Sequence, residues 1–289
     1  MKKKIISLVI ITLILSCLTG CFKRDSMEDI NIITTIYPIE YVTTRIYGDN
    51  AKIESIYPRD SISKTYNITN KQLKDYSEYD LFIYNGETKE KEYATKMLNT
   101  NKNLKIIDAA YGLDSTYSTS DIWLNPSNIL MIGQNIRNEL SEYIKDPYLA
   151  KEINNKYNLL KIDITELETE IKKTADNSIN NKIVVADESL NFLEKYGFEV
   201  INLTKNGKEK ESNILLARSL FENGELNYIF TLDHNNKYDI VEELKNSLNI
   251  KELNFRTLDT ITEKDVKNND DYLSIMHSNI DLIKQETYK

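Results

Sequence analysis

From Asn31 onward, short β-branched clusters alternate with amphipathic stretches along the chain, the pattern of βα units that build a parallel sheet. Runs at 31–36, 52–56, 80–84 and 104–107 predict strands, with helices at 39–47, 69–76 and 89–99 between them. A helix over 127–144 follows, carrying Ile129, Ile132, Ile136 and Leu140 on one stripe. Asp146-Pro147 stops it and opens the next. There Ile153, Tyr157, Leu160, Ile164, Leu167 and Ile171 recur at alternating steps of four and three, so one face stays buried to about residue 174. At about 1.5 Å per residue such a helix runs roughly 40 Å, more than one small lobe needs, and it reads as a strut between two bodies.

A second set of units begins after Asn181, with strands at 183–186, 198–203, 228–232 and 253–258 and helices near 190–196, 212–223 and 239–247. A last helix over 270–287 turns Leu273, Met276, Ile280 and Ile283 inward. The predicted architecture is therefore α/β, with two lobes, each a parallel sheet flanked by helices, joined by one long rigid helix with a cleft between them. The expected boundaries are an N-terminal lobe over 31–145, a linking helix over 146–175 and a C-terminal lobe over 176–289. No residue-level repeat relates the lobes.

The first residues have a different character. Met1-Lys2-Lys3-Lys4 is a basic start, and Ile5 to Leu18 is an apolar run too short to span a bilayer comfortably, which makes 1–20 a signal peptide. Leu18-Thr19-Gly20-Cys21 resembles a bacterial lipobox, so Cys21 is expected to become the acylated first residue of a lipid-anchored protein on the extracytoplasmic face of the cell membrane. Residues 21–30 then read as a polar tether. Beyond Cys21 there is no further cysteine, which removes internal disulfides and thiolate chemistry from the mature chain.

The formal charge of −8 argues against a nucleic-acid partner and suits a cation-handling protein. An enzyme is disfavoured: the chain has only 2 histidines, no cysteine beyond Cys21 and no phosphate-cradling glycine loop. Ligands of open parallel sheets gather beyond the carboxyl ends of the strands. Asp60, Lys64, Glu87, Asp108, Asp121, Asp187, Glu188, Asp233, His234 and Asp259 follow predicted strands, and spacing alone does not choose among them.

The segments Thr35-Ile36-Tyr37-Pro38, Asp80-Leu81-Phe82-Ile83-Tyr84-Asn85-Gly86, Ile122-Trp123-Leu124-Asn125-Pro126 and Asp271-Tyr272-Leu273-Ser274-Ile275-Met276, in this order around a mid-chain strut, resemble the extracellular metal-binding proteins of zinc and manganese ABC importers. The resemblance runs from about Asn31 to Lys289. It implies a divalent cation held in the cleft by two histidines of the first lobe and by a His or Glu plus an Asp of the second. Carried over, the first histidine falls on Lys64 and the second on Asp121. The third ligand falls on Asp187 or, with a one-residue slip, Glu188, and the fourth on Asp259. It further implies an ABC permease as partner and a monomer attached to the bilayer through Cys21.

Both first-lobe histidines are thus replaced, and the histidine-rich loop of many zinc-specific members is absent. Three carboxylates and an ammonium sum to −2, which one divalent cation neutralises. Yet an ammonium about 4 Å from such an ion is repelled by roughly 8 kcal/mol at an effective dielectric near 20. Either Lys64 swings outward and leaves an all-oxygen site that suits Mn²⁺ better than Zn²⁺, or Lys64 takes the place of the ion and no metal binds there. In the second case the chain would be a binding protein for another solute, or a surface interaction protein.

Overall fold

The computed structural model describes residues 25–118, 121–205, 207–233 and 238–289. The expected signal peptide, Cys21 and His234 lie outside the described residues. Among the described residues no helix is long and apolar enough to cross a membrane.

The first lobe comprises β1 (Ile30–Thr34), α1 (Tyr37–Tyr47), β2 (Ala51–Ser55), α2 (Asn70–Tyr76), β3 (Leu81–Tyr84), α3 (Glu90–Thr100), β4 (Lys105–Asp108) and α4 (Pro126–Tyr143). Its strands are all parallel, in the order β2-β1-β3-β4. β3 is buried along its length, as a central parallel strand must be. Then comes α5, Pro147–Asp176, whose Asp146 caps the first turn through Tyr148 N–H, with proline at the first helical position. The second lobe holds β5 (Lys182–Val185), β6 (Glu199–Asn202), the two-residue strands β7 (Thr204–Lys205) and β8 (Lys208–Glu209), α6 (Glu211–Glu222), β9 (Tyr228–Leu232), α7 (Asp239–Leu248), β10 (Lys251–Phe255), α8 (Glu263–Asn268) and α9 (Tyr272–Thr287). Its main sheet is again parallel, in the order β10-β9-β5-β6.

Every apolar residue of the strut stripe, from Ile153 to Ile171, is buried. These residues belong to one hydrophobic cluster that also takes in β1, β3, α1, α4, part of β5 and α9, so both lobes share a core along α5. Polar ties fix the strut further. Arg45 of α1 pairs with Asp163. Glu168 accepts from Ser127 (2.7 Å), Tyr196 (2.8 Å) and Lys195 (3.1 Å). Glu170 meets His277 and Lys284 of α9, at 2.6 and 2.9 Å. His277, half-exposed on α9, is thereby a tie between strut and second lobe.

Several details differ from the sequence expectation, each for a local reason. The segment expected as a tether is already part of the body from Asp25: Met27 is fully buried, and the Asp25 carboxylate accepts the N–H groups of Lys145 and Asp146. The stretch expected as a helix over 190–196 is a run of 3₁₀ turns, Glu188–Tyr196, stopped by Gly197 at φ 107°. β10 ends at Phe255 rather than at Leu258, because the next two N–H groups go to side chains, Arg256 N–H to Asn279 and Thr257 N–H to Asp233, and Leu258 is left-handed at φ 62°. The β7–β8 hairpin and α8 have too few residues to show a periodicity.

Candidate functional site

Strand order reverses between β1 and β3 in the first lobe and between β5 and β9 in the second, and both reversals open at the carboxyl ends of the strands. The loops leaving those ends meet between the lobes. Two backbone features aim acids into this space. Asp121 adopts a left-handed conformation (φ 47°, ψ 37°) just before the 3₁₀ turn Ile122–Leu124, and Leu258, left-handed as well, directly precedes Asp259. Aspartate tolerates this conformation better than most residues, but a leucine is strained in it, and surrounding contacts must hold both in place.

The surroundings do so here. Trp123 is buried, its indole N–H donates to Thr257 O at 2.6 Å, and its own carbonyl accepts from the Tyr272 hydroxyl at 2.9 Å. The 3₁₀ turn of the first lobe is therefore fastened to the second. Asn128, fully buried in α4, donates to the carbonyls of Asp114 and Ile122, closing the same loop from the other side.

Asp121 and Asp259 come from different lobes and are both buried, at 3% and 4% exposure. Lys64 donates to both Asp121 oxygens, at 3.2 and 3.0 Å, and Ser189 of the second lobe donates to Asp121 Oδ2 at 3.2 Å. Asp259 is held by the first lobe: Ser63 N–H reaches Oδ2 at 2.8 Å, the Ser63 hydroxyl reaches Oδ1 at 2.6 Å, and Tyr37 N–H donates to the Asp259 carbonyl at 3.1 Å. Burial raises the Asp259 pKa above the usual carboxylate range. The Ser63 bonds oppose this, the Asp121 charge adds to it and the Lys64 charge reduces it, which places Lys64, Asp121 and Asp259 within one electrostatic neighbourhood. Beside Asp121 lies a hollow of about 10 Å³ lined by Asp114, Tyr117 and Asn125 of the first lobe and Ser189 and Phe192 of the second. That is room for about one water-sized particle.

Asp187 and Glu188 sit differently. Asp187 caps the 3₁₀ run by accepting Ser189 N–H at 2.8 Å, and its other oxygen accepts the Tyr238 hydroxyl at 2.5 Å. Glu188, the first residue of that run, is half-buried. Among the described residues no group of three or more His, Cys, Asp or Glu side chains is arranged to hold a metal ion. Of the four positions the resemblance points to, the fold brings together Lys64, Asp121 and Asp259. Asp108 is a turn acid, accepting Gly86 N–H and Ala110 N–H at 3.0 Å each. A Cβ on Gly86 would lie 1.8 Å from that carboxylate, so any side chain there would push Asp108 off the two N–H groups it accepts. Asp233 accepts from Thr257 N–H and hydroxyl at 3.0 Å each, supporting the loop that leads to Asp259.

Residues that the sequence did not flag complete the setting. Ser63 and Ser189 bridge the lobes. Lys89 donates to the carbonyls of Ser63 (2.9 Å), Lys64 (3.4 Å) and Tyr66 (2.9 Å), pinning the loop that carries Lys64. Next to it Glu90 is 2% exposed, its oxygens accepting Tyr57 Oη–H at 3.0 Å and Asn85 N–H at 2.9 Å. In the sequence it looks like an ordinary acid of a helix first turn.

Burial pushes the Glu90 carboxyl up from 4.5 to about 7, and the Asp259 charge adds to the shift. A carboxyl with a raised folded pKa stabilises the fold fully below its unfolded value of 4.5, and that contribution is lost as pH rises through about 7. Glu90→Gln, whose amide can accept from Asn85 and donate to Tyr57, is expected to remove this loss. Urea denaturation at pH 5 and pH 8 should show wild type losing roughly 2–3 kcal/mol more than the variant between the two. Parallel pH dependences would contradict the assignment.

The family model described as "Zinc-uptake complex component A periplasmic" matches residues 32–286. The zinc-binding lipoprotein AdcA of Streptococcus pneumoniae (strain ATCC BAA-255 / R6) is 23% identical over 313 residues, covering 99% of this chain and 61% of the relative. This chain thus spans about six-tenths of that protein's length. The manganese ABC transporter substrate-binding lipoprotein scaA of Streptococcus gordonii is 26% identical over 308 residues, covering 98% of each chain. Among solved structures, the Bacillus subtilis metal-dependent lipoprotein YcdH superposes with a TM-score of 0.74 at 16% identity, and the Zn(II)-bound ZnuA-like domain of S. pneumoniae AdcA with 0.72 at 20%. Each match covers 90% of this chain and all of the other, and at such identities each shows the fold. Since the family model runs from β1 to α9, across both lobes and the strut between them, the chain belongs to the family of zinc-uptake complex component A.

Proposed function

We propose that this chain is the solute-binding component of an ABC importer, capturing a divalent cation in the interlobe cleft and delivering it to a membrane permease. The observation that carries the reading is the meeting of two buried carboxylates, Asp121 and Asp259, from opposite lobes at the mouth of both sheets. Two of the relatives it resembles are named as a zinc-binding and a manganese-transporting lipoprotein. Asp121 and Asp259 are the proposed ligands, with the hydroxyls of Ser63 and Ser189 beside them. Asp187 or Glu188 joins the set if the second lobe turns further into the cleft.

All of these donors are oxygen, which favours Mn²⁺ over Zn²⁺, an ion better served by imidazole and thiolate. The many ties of α5 to both lobes limit closure to small rotations, so capture combines a slight turn of the second lobe with side-chain movement. Acylation of Cys21 would keep the chain beside its permease on the extracytoplasmic face. The activity is capture and release without bond chemistry, and a monomer suffices for it.

Calorimetric titration of the mature chain with MnCl₂ and ZnCl₂ tests the proposal. One ion per chain is expected to bind, with an affinity on the order of micromolar or tighter and Mn²⁺ preferred, equivalent to about −8 kcal/mol. Binding of neither ion would overturn it. The Lys64–Asp121 pair leaves room for a second reading, in which the ammonium permanently occupies Asp121 and the chain serves another solute or acts as a surface interaction protein.

A further inference from the structure

We infer that Lys64 is a tethered counter-cation, so that capture by this chain is an exchange in which the ammonium leaves Asp121 as the divalent ion arrives. The inference rests on the proposed cation capture and names how that same site is regulated.

The asymmetry of the pair is the first support. The Asp121 side chain is 1% exposed, whereas that of Lys64 is 46% exposed. The carboxylate is fixed by its left-handed backbone and by Ser189, while the ammonium reaches it from the rim on a stem partly in water. Such a side chain can withdraw into solvent without disturbing the core. Asp121 has no comparable freedom.

A second support is the loop. Lys89 holds the carbonyls of Ser63, Lys64 and Tyr66, and Ser63 is committed to Asp259 through both its N–H and its hydroxyl. The backbone beneath Lys64 therefore stays in place, and displacement is confined to one flexible side chain. Charge gives the third support. With Lys64 on Asp121 and both acids ionised, the cleft carries a net charge of −1. Exchanging the ammonium for a divalent cation brings it to zero, and repulsion keeps the two cations from sharing Asp121. The chain thus supplies its own competitor, which raises the apparent dissociation constant for the cation by the factor that displacing the ammonium costs.

The experiment compares Mn²⁺ titrations of the mature wild-type chain, Lys64→Met, which keeps the stem and removes the charge, and Lys64→Arg, which retains the charge. Lys64→Met is expected to bind at least about tenfold more tightly than wild type, with Lys64→Arg equal to or weaker than wild type. Lys64→Met should also melt at a lower temperature than wild type without metal, because it takes the neighbouring positive charge away from the buried Asp121 carboxylate, and regain stability when Mn²⁺ is added. Equal affinities for all three proteins would overturn the exchange and leave the cation-binding proposal standing. Binding by Lys64→Met alone would overturn the exchange together with the wild-type chain as a metal carrier, leaving Lys64 as a permanent occupant. Binding by none of the three would overturn both.

Discussion

Trp123→Ala is expected to destabilise the protein by about 3–5 kcal/mol, the largest single-residue loss foreseen for this fold. The ring is 5% exposed and belongs to the core shared by both lobes, so truncation leaves a cavity that the strut and sheets are too constrained to fill. It also frees the Thr257 carbonyl, which sits in the loop two residues before Asp259. The turn that begins at Asp121 then loses its fastening to the second lobe, so cation affinity should fall together with stability. Trp123→Phe separates the two contributions by keeping most of the packing and deleting the N–H donor, at a cost of about 1–3 kcal/mol. Urea denaturation followed by circular dichroism measures both variants. A loss below about 1 kcal/mol for Trp123→Ala would show that the turn is held by other contacts.

The second large effect concerns the two acids. Asp121→Asn combined with Asp259→Asn is expected to weaken Mn²⁺ binding by at least about a hundredfold, roughly 3 kcal/mol. Asparagine is the informative replacement, because its carbonyl oxygen still accepts from Ser63 or Ser189 while the charge is gone. Asp259→Ala would instead leave the buried Ser63 donors unsatisfied and cost about 1–3 kcal/mol of stability, confusing folding with binding. The raised pKa of Asp259 gives a further sign: protons compete for this carboxylate at a higher pH than for an exposed one, so capture should weaken early on acidification. A double asparagine variant with wild-type affinity would move the cation elsewhere.

The sequence by itself determined the order of elements, because strand and helix periodicity and helix caps are local. The stripe from Ile153 to Ile171 announces a helix buried along one face, and it is. The same locality explains what stayed hidden. Asp187 and Asp259 both follow a strand as acids near a turn, yet one spends its oxygens on a helix cap and on Tyr238, and the other is grasped by a serine 196 residues away. Glu90 reads as an exposed first-turn acid and is buried against Tyr57. The family resemblance points to Lys64, Asp121 and Asp259, whereas the direct pairing of Lys64 with Asp121, the burial of both cleft acids and the commitment of Asp187 to Tyr238 were decided only by the tertiary structure. The physical reason is that side-chain direction in the cleft follows from left-handed residues such as Asp121 and Leu258. Contacts from distant segments hold those conformations, and short-range pattern does not encode them.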